Sequence, residues 1–246
     1  MKLLKDILYK VSVNAVYGDT NMEVTQIAFD SRTIKNGAVF VAQKGVSVDG
    51  HLYIDKAISL GATSIICEVL PEEMQRGITF IQVEDSNTTL AIIASNFYNN
   101  PSSKLKLIGV TGTNGKTTVA SLLYQLLKKS GYKTGLLSTV QILVDTTVFK
   151  ATHTTPDSVT INNYLHQMVL LGVDYCFMEV SSHGIHQKRT EGLEFAGGIF
   201  TNLSHDHLDY HNSFASYRDV KKTFFDSLPK KAFALTNLDD KNGTVM

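Results

Sequence analysis

Two periodicities alternate along the chain and divide it into short strands and helices. Compact apolar runs at 37–42, 63–67 and 79–83 predict strands. Between the first two, Ile54, Ala57 and Ile58 recur at helical spacing and Gly61 stops the pattern. Ser86 is expected to cap a further helix running to about Tyr98, with Leu90, Ile93 and Phe97 inward. The turn-forming stretch Asn-Asn-Pro-Ser-Ser at 99–103 marks a boundary, giving expected domains of 1–100 and 101–246. The second region opens with an apolar run at 105–110. A helix over about 117–130 follows, with Val119, Leu122, Leu123, Leu126 and Leu127 assigned to one side and a stop at Gly131. Strands are expected at 134–138, 174–180, 197–200 and 232–236, and helices at about 158–171 and 214–228. Strands separated by helices predict an α/β fold, a mostly parallel sheet with helices on both faces. Ligands in such sheets sit at the carboxyl ends of the strands. The turn after 110, Glu179 and the 201–211 segment all follow strands and can converge there. The sequence ends soon after the last strand and a turn at 237–243, which reads as part of a longer protein.

Composition narrows the function classes. Lys plus Arg and Asp plus Glu balance at 23 each, which gives no argument for a nucleic-acid surface or a membrane patch. The charged first ten residues lack the apolar core of a signal peptide, and no run reaches the ~18 apolar residues of a membrane span. Cys67 and Cys176 lie in strand-like runs without metal-ligand spacing, and read as buried free thiols of a cytoplasmic protein.

The chemistry concentrates after the strands. In the stretch 105–118, an apolar run feeds Gly112-Thr-Asn-Gly-Lys-Thr-Thr118 and then a helix, the context a phosphate-binding loop requires. Loop N–H groups and a helix N-terminus present positive potential to phosphate oxygens. Lys116 adds a point charge and Thr117 a hydroxyl suited to Mg²⁺. The general pattern places glycine six residues before the lysine, where Val110 stands, so a glycine-rich turn without a ligand is the competing reading. Glu179 ends an apolar strand beside this loop, placed either to hold Mg²⁺ or to face solvent. Ser181-Ser-His-Gly184 follows as a small polar turn suited to substrate contact. Residues 205–211 hold three histidines and two aspartates. A dinuclear zinc hydrolase pattern, H-x-H-x-D-H, fails there by one residue, because Tyr210 separates Asp209 from His211. A polar surface loop and a single histidine on a magnesium ion stay open.

Tyr217, Lys221, Phe224 and Leu228 share one helix face, so Lys221 lies on an apolar stripe while Lys222 points elsewhere. A lysine held there tends toward the neutral amine, which can add CO₂ to give a carbamate. The alternative is a lysine that snorkels from the edge of the stripe.

Taken together, Asp30-Ser-Arg32, the 45–51 turn, Thr111–Thr118, Thr154-Thr-Pro-Asp157, Glu179–Gly184, Asp206–His211 and Asn237-Leu-Asp-Asp240 resemble the Mur ligases over essentially the whole chain. These are the ATP-dependent amino-acid-adding enzymes of peptidoglycan synthesis, and the family's own loop has this glycine spacing. The Thr-Thr-Pro and Glu-Val-Ser-Ser-His-Gly segments point to the branch acting on UDP-N-acetylmuramoyl-L-Ala-D-Glu. The resemblance implies an N-terminal uridine-nucleotide domain, a central P-loop ATPase domain, here incomplete, and a C-terminal amino-acid-binding domain absent from this sequence. It implies that Ser31, Val46, Ser47 and Val48 contact the UDP group. It implies that Thr154, Thr155, Ser181, Gln187 and Arg189 bind the muramoyl-dipeptide. Gly112, Thr113, Asn114, Gly115, Lys116, Thr117, Thr118 and Asn237 would bind ATP. Thr117 and Glu179 would serve one Mg²⁺, and His207 with a carbamylated Lys221 another. Lys116, Lys221 and His207 are the implied catalytic residues. The added amino acid is expected to be meso-diaminopimelate rather than L-lysine, and a monomer is expected. Three other readings stand beside this one: a MurF- or folylpolyglutamate-type ligase, a UDP-sugar-peptide binding module without turnover, and the zinc hydrolase.

Overall fold

The structure is a computed structural model that describes residues 2–45, 48–206, 210–211 and 213–246. The chain forms two compact units, 1–99 and 100–246. The first contains, in chain order, β1 (Lys2–Leu3), α1 (Leu4–Ile7), β2 (Val13–Tyr17), β3 (Glu23–Val24), β4 (Gln26–Ala28), β5 (Ala38–Val41), α2 (Ile54–Ser59), β6 (Ala62–Cys67), β7 (Thr79–Val83) and α3 (Ser86–Phe97). Its five-stranded sheet has the order β2-β7-β6-β5-β4, parallel except for β2. β1 and β3 form a separate two-stranded ladder. The cap of α3 is Asp85, not the expected Ser86. The Asp85 carboxylate accepts from Asn87 N at 2.9 Å and Thr88 N at 3.0 Å, and its charge suits the positive end of the helix. Ser86 is turned inward instead and donates to Glu68 Oε1 at 2.7 Å.

The second unit contains β8 (Lys106–Thr111), α4 (Lys116–Lys129), β9 (Thr134–Leu137), β10 (Gln141–Val144), β11 (Thr147–Lys150), α5 (Ser158–Leu170), β12 (Tyr175–Glu179), α6 (Ser182–His186), β13 (Gly197–Phe200), α7 (Phe214–Asp226) and β14 (Phe233–Thr236). The sheet order is β11-β10-β9-β12-β8-β13-β14, with five parallel strands and an antiparallel hairpin on one edge. Period-two alternation sorts the core. Leu107, Cys176, Met178 and Phe200 face α5 and α7, while Ile108, Val110, Phe177 and Ile199 face α4. Cys67 and Cys176 are buried free thiols; burial pushes the Cys67 thiol up to about 11 and the Cys176 thiol higher still. Among the described residues no helix is long and apolar enough to cross a membrane.

Two expectations are corrected here. Leu122 and Leu126 are not on the buried side of α4; both are 59% exposed. The docking stripe runs through Ala120 and Tyr124, flanked by Val119, Leu123 and Leu127, because Ala120 permits close approach and the Tyr124 hydroxyl donates to Asp145 O at 2.8 Å. Residues 182–186 form a short helix rather than a turn, with Ser181 as its cap accepting from Gly184 N at 3.1 Å. The hairpin β10–β11 was absent from the sequence reading. Its turn, Asp145-Thr146, places Asp145 at a φ of 54° without the glycine that announces most such turns.

One close approach positions the site. A side chain at Gly109 of β8 would lie 2.4 Å from the Phe224 ring, and one at Gly198 of β13 2.9 Å from it. Phe224 therefore occupies the space of two missing side chains, and α7 lies directly on the sheet. Gly109→Ala is expected to lower unfolding free energy by about 1–3 kcal/mol through overpacking. Urea denaturation of Gly109→Ala alone and with Phe224→Leu tests this. The double variant should recover part of the loss, and a wild-type midpoint for Gly109→Ala would remove the constraint.

Candidate active site

The register that holds β12 against β8 pairs Glu179 with Val110, immediately before the glycine loop. Alternation puts Glu179 on the α4 face, like Phe177 two residues earlier, and the first turn of α4 carries Thr117. The Thr117 hydroxyl donates to Glu179 Oε1 at 2.8 Å. Glu179 is 1% exposed, and its carboxylate also accepts from Thr139 N at 2.8 Å and Thr139 Oγ1 at 3.2 Å. A hydroxyl and a carboxylate in contact are two hard oxygen donors, the set Mg²⁺ takes from a phosphate loop.

The loop is held from outside. Gly112 has a φ of 143°, and a side chain there would meet Thr201 Oγ1 at 2.0 Å. The Asn202 amide behaves like a peptide toward Asn114, accepting from its N at 3.0 Å and donating to its O at 3.1 Å. Thr201 Oγ1 donates to the same carbonyl at 2.7 Å, and Thr113 N donates to Asn202 O at 2.8 Å. Lys116 Nζ donates to Gly112 O at 3.0 Å and Thr113 O at 2.8 Å. Burial lowers the Lys116 pKa, while Glu179 and Asp206 oppose that shift. Asn237 Nδ2 donates to Thr201 O at 2.9 Å, which ties the turn after β14 to the same segment.

Helix α7 delivers a second lysine. One turn before Phe224, Lys221 Nζ donates to Gly112 O at 3.0 Å, and one turn earlier the Tyr217 hydroxyl lies 3.1 Å from Thr113 Oγ1. Lys221 is 1% exposed and does not snorkel. Burial and the nearby Lys116 charge pull its pKa down to about 7, with Asp206 acting in the opposite sense. The amine is therefore substantially neutral near pH 7, the state that can react with CO₂. His207, the implied partner of Lys221, lies outside the described residues, as do Val46 and Ser47. Among the described residues no group of three or more His, Cys, Asp or Glu is arranged to hold a metal ion.

Beyond the carboxyl end of β12 stands a second group. Arg189 donates through Nε (3.1 Å) and Nη2 (2.7 Å) to Gln187 Oε1, and through Nη1 to Thr155 O at 2.6 Å. Those contacts use three of the five guanidinium N–H groups and leave one on each terminal nitrogen to donate to an anionic group. The Thr155 hydroxyl is occupied, donating to Glu179 O at 2.8 Å and accepting from Ser181 N at 2.9 Å. Thr154 Oγ1 lies 3.1 Å from Thr139 Oγ1 and, since the Thr139 proton goes to Glu179, is the donor of that pair. In the first unit, a separate cavity of about 480 Å³ is lined by Phe29, Ser31, Arg32, Gln43, Val48 and Tyr53 among others. Thr139, Thr201 and Asn202 were missed by sequence reasoning. Their only signal is a short polar side chain directly after a parallel strand, within or beside segments already singled out.

The loop, the strand-end carboxylate and the buried lysine define an α/β domain of the phosphate-loop class. Residues 110–246 match the profile of the Mur ligase middle domain, and residues 23–98 that of the Mur ligase family, catalytic domain. The chain belongs to the Mur ligase family. The UDP-N-acetylmuramoyl-L-alanyl-D-glutamate--2,6-diaminopimelate ligase of Cytophaga hutchinsonii is 57% identical over 244 residues, covering 99% of this chain and 50% of the relative. A ligase of the same name from Phocaeicola vulgatus is 54% identical, covering 100% of this chain and 51% of the relative. A solved structure of a ligase with that name superposes with a TM-score of 0.82 at 25% identity, covering 100% of this chain and 49% of that one. MurF from Acinetobacter baumannii shares the fold, with a TM-score of 0.67 at 17% identity over 94% of this chain and 48% of its own. The chain spans about half the length of the curated relatives it matches.

The lowered Lys221 pKa fixes a sign for pH dependence. Below about 7 both folded and unfolded chains carry the proton, and above about 10.5 neither does. Between those values only the unfolded chain binds it, so unfolding free energy should rise with pH, by at most about 1.4 kcal/mol per unit from this group. Denaturation in CO₂-free buffer from pH 7 to 10 should show that rise, and Lys221→Met should flatten it. An equal slope in the variant would assign the effect elsewhere.

Proposed function

We propose that this chain carries the nucleotide and acceptor sites of a MurE-type ligase. Such an enzyme uses ATP to join diaminopimelate to UDP-N-acetylmuramoyl-L-Ala-D-Glu through an acyl phosphate, a step of peptidoglycan synthesis in the cytoplasm. The observation that carries this reading is the Arg189 fork beyond the strand that ends in Glu179, in a domain whose phosphate loop contacts both Lys116 and Lys221. The names of relatives 54–57% identical over the whole chain support the acceptor and the amino acid. Diaminopimelate is favoured over lysine on the same ground.

In this reading the loop amides and Lys116 hold the β- and γ-phosphates. Thr117 and Glu179 are the residues that would hold Mg²⁺, which when bound neutralises phosphate charge and lets two anions approach. Arg189, backed by Gln187, grips a carboxylate of the acceptor peptide. Ser31 and Val48 bound the cavity assigned to the uridine end. The glutamyl carboxylate attacks the γ-phosphorus and ADP leaves; an amine then attacks the acyl carbon and phosphate leaves. Lys221, as carbamate, supplies an oxygen pair beside the loop, a role its neutral amine permits.

Calorimetric titration with UDP-N-acetylmuramoyl-L-Ala-D-Glu, against UDP-N-acetylglucosamine as control, tests the acceptor assignment. Selective binding of the dipeptide nucleotide is expected; equal affinity for the two would overturn it. Lys116→Ala should weaken ATP binding at least about tenfold, the scale of one lost charge-assisted contact. Unchanged ATP affinity would remove the loop from the mechanism.

A further inference from the structure

Tyr210 has no role in the account so far, yet its hydroxyl sits at the end of the Arg189 support. It lies 3.2 Å from Gln187 Nε2 and 3.0 Å from His186 Nδ1. An amide nitrogen only donates, so the phenol oxygen accepts from Gln187, while the His186 tautomer sets which of Tyr210 and His186 is the donor between them. The other end of the same amide, Oε1, accepts both Arg189 contacts. A single chain of hydrogen bonds therefore runs His186, Tyr210, Gln187, Arg189, Thr155, with the donor direction fixed from Tyr210 to Thr155. The Tyr210 ring is held independently. It packs at a tilt against His183 with centroids 4.1 Å apart and meets His186 edge-on at 5.4 Å.

We propose that Tyr210 is a positioning residue for the acceptor, acting through Gln187 to hold the Arg189 fork toward a carboxylate. The proposal rests on the assignment of Arg189 to the acceptor peptide. Its physical content is that Gln187 needs both ends of its amide satisfied to stay in one rotamer. Removing the phenol oxygen leaves Nε2 without this acceptor and lets the amide swing, so one flank of the guanidinium loses its support. The ring contacts survive a change to phenylalanine, which separates the hydroxyl's part from packing.

The test uses the 246-residue chain and two ligands, UDP-N-acetylmuramoyl-L-Ala-D-Glu and UDP-N-acetylmuramoyl-L-Ala, which lacks the glutamyl carboxylates. Wild type, Tyr210→Phe, Gln187→Ala and the double variant are titrated calorimetrically, with thermal midpoints recorded for each. Tyr210→Phe should weaken the dipeptide ligand about fivefold, the scale of one hydrogen bond. It should leave the shorter ligand within about twofold. In the Gln187→Ala background the tyrosine change should cost nothing further, because the two act in series. Equal weakening of both ligands, full additivity in the double variant, or no weakening would each overturn the proposal. If wild type fails to distinguish the ligands, the Arg189 assignment falls and takes the proposal with it. Discrimination that Tyr210→Phe leaves intact overturns the proposal alone.

Discussion

The contact of Phe224 with two glycines, Gly109 and Gly198, sets the arrangement of the second unit. Without side chains on adjacent parallel strands, α7 lies against the sheet at ring thickness, running opposite to β8. Its successive turns then meet successive positions of the strand and loop: Phe224 meets Gly109, Lys221 meets the Gly112 carbonyl, and Tyr217 meets the Thr113 hydroxyl. A bulkier strand residue would lift the helix and withdraw the lysine from the loop. The placement of a buried cationic side chain next to a phosphate-loop carbonyl is thus a packing outcome before it is an electrostatic one.

The cost of that placement is visible in the lysine itself. An ammonium group almost fully removed from water, with another lysine near the same carbonyl, favours the neutral form. Asp206 offsets part of this but not all of it. With its pKa near 7, about half of the group is neutral at neutral pH, a form that free lysine scarcely populates there. This supports a chemical role for Lys221, since a purely structural position would be filled at less cost by leucine or methionine.

Much of this arrangement was legible in the sequence where a single periodicity carried it. Strand, glycine loop and helix located Lys116 and Thr117; an apolar strand ending in a carboxylate singled out Glu179 and the i, i+4, i+7 stripe singled out Lys221, but a solvent-facing carboxylate and a snorkelling lysine stayed open until burial excluded both. Legibility failed where two patterns competed or one hydrogen bond decided. Two leucine rows on α4 looked alike, and the choice between them was made by Ala120 and by a Tyr124 hydroxyl reaching a turn 21 residues away. Asp85 and Ser86 are both good caps, and Glu68 claimed the serine. Asn202, Thr139 and Tyr210 make contacts across elements distant in sequence, so their segments could be singled out but not their partners.

Lys116 donates to Gly112 O and Thr113 O, carbonyls of the very loop it serves. An arriving anion must therefore compete with the protein for that ammonium group. A lone inorganic phosphate or sulfate offers few oxygens and loses two carbonyl contacts in return. A polyphosphate engages the lysine, the loop amides and the helix terminus together, and the exchange becomes favourable. Under the proposed function the loop would filter by valency, favouring a polyphosphate over a small anion through the contacts each must displace.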